Sequence, residues 1–116
     1  MAQSGLLGPY RLNFDGIQSA VSNTMPGVFA LGHLDQDGRF CVTRVGRSDT
    51  DVRATLCDFI GSDNFFKFDL MSTSRAAFEK ECSLYHDFSP RGNRVHPARP
   101  PQTDWTCPHC RTLSRW

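Results

Sequence analysis

An α+β domain, built on a small three-stranded antiparallel sheet flanked by helices, is the fold class this chain predicts. Three observations predict it. Two β-prone runs, 27–33 (GVFALGH) and 39–46 (RFCVTRVG), are separated by Leu34-Asp35-Gln36-Asp37-Gly38, whose Asp-Gly step favours a tight reversal. Residues 64–71 (NFFKFDLM) set Phe66, Phe68 and Leu70 in alternation with Lys67 and Asp69, the period of a half-buried strand. Between and after these runs, apolar residues recur at helical spacing behind Ser, Thr and Asp caps.

Each element has a local cause. Residues 9–13 suit a short strand outside the main sheet, and Asp15 is placed to cap a short helix whose Ile17 and Val21 lie four apart. Met25-Pro26-Gly27 ends it. After the hairpin, Ser48-Asp49-Thr50-Asp51 offers several N-cap groups, and Val52, Leu56, Phe59 and Ile60 then keep helical spacing to a stop at Gly61. That predicts a helix of about ten residues. Ser72-Thr73-Ser74 caps a second helix, 75–86, carrying Ala77, Phe78, Leu84 and Tyr85. Beyond Ser89, Pro90, Pro97, Pro100 and Pro101 oppose regular structure. The expected organisation is therefore an N-terminal strand and helix in 1–26, a main domain in 27–93 and a C-terminal extension in 94–116.

Composition sets the outer bounds. A chain of 116 residues, 39% hydrophobic and with nine Phe, suffices for one domain with its own core and is short for two. No run approaches the roughly 18 apolar residues of a membrane span, and residues 1–10 lack the pattern of a secretory signal, so no membrane partner and a cytoplasmic location are expected. The net charge is +1, but 89–116 carry 5 basic and 1 acidic side chains against 8 and 11 in 1–88. Such a basic end reads either as a phosphate-facing segment or as a solvated arginine-rich tail.

Five cysteines at irregular spacing do not suggest a disulfide framework. Cys82 and His86, four apart on the second helix, share a face, and Cys107-Pro108-His109-Cys110 forms a Cys-x-x-Cys knuckle. Cys82, His86, Cys107 and Cys110 together make a closed Cys3His set suited to a structural Zn2+, with His96 and His109 in reserve. The competing readings are that Cys82 is a small core residue and that the knuckle is a redox pair. Only six residues follow Cys110, too few for the helix a thioredoxin-like site needs.

The order hairpin, helix, strand, helix resembles the GIY-YIG nuclease superfamily over about residues 27–93. Gly27-Val28-Phe29 stands where that family has Gly-Ile-Tyr, and Arg44-Val45-Gly46 where it has Tyr-Ile-Gly. Arg47-Ser48 matches the basic and small hydroxyl residues that follow, and Ala77 to Glu81 resembles the family's Ala-x-x-x-Glu. The resemblance implies a nucleic-acid-processing domain in which Glu81 binds Mg2+ or Mn2+, Arg44 and Arg47 contact the scissile phosphate and Asn93 helps position it. Phosphodiester cleavage needs an activated oxygen, cationic stabilisation and a Lewis acid.

The chain departs from the pattern at three positions. Phe29 lacks the ionisable hydroxyl of a tyrosine, Arg44 is no base at ordinary pH, and Thr55 stands where the family's first-helix arginine falls. Arg53 fills that role only if the alignment slips, and Tyr85 and His33 are the remaining candidates for a base. The alternative function is accordingly a catalytically inactive module that binds nucleic acid or protein and is stabilised by zinc.

Overall fold

In the computed structural model, residues 6–88 are described, and they form seven elements. In chain order these are β1 (Leu7–Arg11), α1 (Phe14–Ala20), β2 (Gly27–Leu34), β3 (Phe40–Ser48), α2 (Val52–Cys57), β4 (Phe65–Leu70) and α3 (Ser74–Phe88). The fold is α+β, with a four-stranded antiparallel sheet in the order β1-β4-β2-β3. The expected count of three strands is corrected by β1. It adds to the open edge of β4, pairing Tyr10 with Phe66 and Arg11 with Phe65. An unpaired row of backbone groups on β4 recruited a segment whose own side chains are all exposed.

The hairpin turn closes through Asp35, whose Oδ1 accepts from the backbone N–H of Asp37 and of Arg39, both at 2.9 Å. Gly38 takes φ 79, where a side chain would be strained. A bulge at Thr43 interrupts the β2–β3 ladder, and the single Thr43 hydroxyl proton is shared between Asp63 Oδ1 at 2.9 Å and the Leu31 carbonyl at 3.2 Å.

Helix starts follow side-chain chemistry. The cap of α1 is Asn13, which accepts from the Gly16 N–H at 2.7 Å, and Asp15 sits in the first turn instead of capping it. Asp51 caps α2, and Thr73 accepts from the Ala76 N–H to begin α3. α2 is shorter than its periodicity suggests. Its helix stops at Cys57, and the following turn still delivers Phe59 to the core while leaving Ile60 42% exposed.

Strand alternation divides the core into two layers. On one face of the sheet, α1 and α2 bury Ile17, Val21, Val52 and Leu56 against Phe29, Leu31, Phe66 and Phe68. On the other, α3 lays Ala77 and Leu84 over Val28, Ala30 and Val45. Phe78 and Cys82 form a separate buried pair on α3. No described helix is long and apolar enough to cross a membrane.

Candidate functional site

The two glycines of the hairpin motifs have a packing role. A Cβ on Gly46 would lie 2.5 Å from Cζ of Phe29, its cross-strand partner, so the Phe29 ring rests on bare backbone. A Cβ on Gly27 would meet the Asp69 carbonyl at 2.7 Å and Val52 at 3.0 Å. Phe29 is 1% exposed and touches the Phe59 ring at 5.5 Å between centroids.

Arg44 shares that face of the sheet, across from Leu31, and its guanidinium stacks over Phe59 at 5.7 Å. It has no carboxylate partner among the described residues. Thr55 spends its hydroxyl inside α2, donating to the Asp51 carbonyl. Arg53 is half-buried, and its Nε has no hydrogen-bond partner.

Arg47 and Glu81 lie on the opposite face. Two residues on from Val45 and so on the same face, Arg47 points towards α3, where Nη1 donates to Glu81 Oε1 at 2.7 Å. Its Nε donates to Asp49 at 3.0 Å, and the guanidinium lies 5.1 Å from the centre of the Phe78 ring. The side chains of Arg47 and Glu81 are 11% and 9% exposed. Glu81 is buried because it follows Ala77 by one helical turn on the stripe that meets the sheet.

One cation therefore serves two carboxylates. Burial pushes the Glu81 carboxyl up from the ordinary glutamate range, and the Arg47 charge and hydrogen bond reverse only part of that rise. Burial opposes the Arg47 charge, but Glu81 and Asp49 outweigh it and carry the guanidinium upward. A hard divalent ion takes several oxygen ligands. Here one oxygen of Glu81 and one of the nearby Asp49 are held by Arg47, so an ion at Glu81 would share these carboxylates with the guanidinium.

The structure thus brings Arg47 to Glu81 and sets Phe29 and Arg44 on the other side of the sheet. Tyr85 belongs to the α3 layer, its ring edge-on to His86, and His33 is exposed near the hairpin turn. Of the zinc set, Cys82 is fully buried beside Phe78 and His86 is exposed one turn later. Asn93, Cys107, Cys110, His96 and His109 lie outside the described residues. Among those described, no three His, Cys, Asp or Glu side chains form a metal-sized group.

Three partners escaped the sequence reading. Asp49 follows Arg47 by two positions, in the bend just past the end of β3, where the chain turns its carboxylate onto the guanidinium. Phe59 and Phe78 read as core residues, and nothing in their spacing marks them as arginine platforms.

Fold and site define a small α+β domain with a buried Arg–Glu pair under one helix and an arginine–aromatic stack on the opposite sheet face. No protein-family model, curated protein or solved structure matches the chain.

Proposed function

We propose that this chain is a GIY-YIG-like scaffold that binds nucleic acid without cutting it, with its C-terminal extension tied to α3 by a structural zinc. One observation carries the absence of cleavage: the candidate catalytic groups are divided between the two faces of the sheet. Phe29 supplies a buried ring without a hydroxyl, and Glu81, on the far side, is engaged by Arg47. Arg44, half-buried and stacked on Phe59, keeps a positive charge for a phosphate. The sequence of hairpin, helix, strand and helix in β2, β3, α2, β4 and α3 supports the scaffold.

The test is a titration of labelled single-stranded and duplex DNA and RNA at several salt concentrations, with Mg2+ or Mn2+ present and the products resolved on a gel. The expected result is binding that weakens with salt, loses about one unit of salt slope in Arg44→Ala and leaves the strands intact. Cleavage that disappears in Glu81→Ala would establish an active endonuclease instead. Absence of binding to every form would sink the nucleic-acid reading.

A further inference from the structure

A third arginine–aromatic arrangement lies on the sheet face that carries α3, away from Arg44 and from Arg47. On β1, Arg11 pairs with Phe65 of β4, and its guanidinium stands 5.8 Å from the centre of that ring. Phe65 pairs in turn with Gly32 of β2, and a Cβ on Gly32 would lie 3.1 Å from Cζ of Phe40, so the Phe40 ring leans over this glycine. Lys67, two residues beyond Phe65 on the same face, holds its ammonium 5.2 Å from the centre of the Phe40 ring.

Two cations and two rings therefore occupy neighbouring positions across β1, β4, β2 and β3. α3 lies over β2 and β3 and leaves Arg11 exposed, with Phe65, Lys67 and Phe40 half-buried. Neither Arg11 nor Lys67 has a carboxylate partner among the described residues. A cleft of about 540 Å³ opens beside Arg11 and Phe65, with Asp63 and the exposed Asn64 also on its lining.

We infer that this strip is a stacking platform for single-stranded nucleic acid. Each cation rests over a ring through a contact weak enough at an exposed site to give way. On binding, Arg11 and Lys67 turn to successive phosphates, and bases stack on the Phe65 and Phe40 rings that the cations uncover. A paired duplex hides its base faces, so the strip selects unpaired strands. The inference rests on the nucleic-acid reading above but uses a different surface from Arg44.

Fluorescence anisotropy with a short labelled oligothymidylate, the matching duplex and thymidine monophosphate as competitor tests it on the full chain. Arg11→Ala and Lys67→Ala are each expected to weaken oligothymidylate binding several-fold and lower its salt slope by about one, with duplex binding unchanged. Phe65→Leu is expected to weaken it about tenfold, towards the lower end of base–aromatic stacking. The two surface variants carry the test if Phe65→Leu unfolds. Oligothymidylate binding that falls in Arg44→Ala but not in these variants would overturn the platform and leave the reading above standing. Displacement by the monophosphate as effective as by the strand would replace a strand site with a nucleotide site. Binding to no oligonucleotide would overturn both.

Discussion

Arg47 and Glu81, 34 residues apart in the chain, meet at 2.7 Å beneath α3 and tie that helix to the end of β3. Asp49 holds the other side of the guanidinium, and Phe78 lies against it. The pair is buried enough that losing Arg47 leaves the Glu81 carboxylate without a cation, whereas losing Glu81 leaves Arg47 its bond to Asp49.

Single replacements should therefore cost more than the double one. Arg47→Met is expected to lose about 3 kcal/mol in urea denaturation, and Glu81→Leu less than that but more than the double variant, because Asp49 still holds the guanidinium. The double variant is expected to return to within about 1 kcal/mol of the parent, because two apolar side chains need no partner there and Asp49, 37% exposed, is left to solvent. Additive losses in the double-mutant cycle would show that the two residues do not act as a pair.

The pH dependence has a definite sign. Glu81 is raised by burial in the folded state, so between the ordinary glutamate value of 4.5 and its raised value the folded chain binds more protons than the unfolded one. This contribution to stability is complete below the ordinary value and is lost as pH rises through the folded one. Relative to Glu81→Gln, which does not titrate, the parent should become less stable as pH rises through that window. Thermal melts of both proteins at several pH values measure it, and a difference of opposite slope would contradict the assigned burial.

The Phe29–Gly46 contact predicts a steric penalty that can be relieved. Gly46→Ala is expected to cost about 1–3 kcal/mol, since its methyl enters the Phe29 ring. Adding Phe29→Leu should make the alanine less costly than it is in the parent. Phe29→Tyr restores the hydroxyl of the family pattern but buries it, and is expected to destabilise by about 1–3 kcal/mol without producing cleavage. Chemical denaturation and a nuclease gel give the two readouts.

Zinc makes a separate prediction. Elemental analysis of the purified chain is expected to find about one zinc per molecule, and Cys107→Ser or His86→Ala should reduce it and lower the melting temperature. Metal content unchanged in Cys107→Ser would rule out the proposed ligand set.

Much of the fold was legible in local sequence. Asp35 to Gly38 specify their turn, Phe66 and Phe68 alternate with Lys67, and Asp51 and Thr73 cap the helices that follow them. β1 was legible only as a strand, because membership of the sheet depended on a free edge of β4 that no local pattern announces. Within the candidate site, Glu81 shared a stripe with Ala77 and Leu84, so its burial was in principle readable from helical phase.

What the sequence determined by itself is the order of elements and the chemistry each carries, since caps, turns and periodicities act over a few residues. Only the tertiary structure decided which of those residues meet. Strand alternation sent Arg47 and Arg44 to opposite faces, and the crossing of α3 over β3 chose Glu81 for one while the turn after α2 gave Phe59 to the other. Those choices are made by packing between segments distant in the chain, where a side chain's partner depends on which layers close around it.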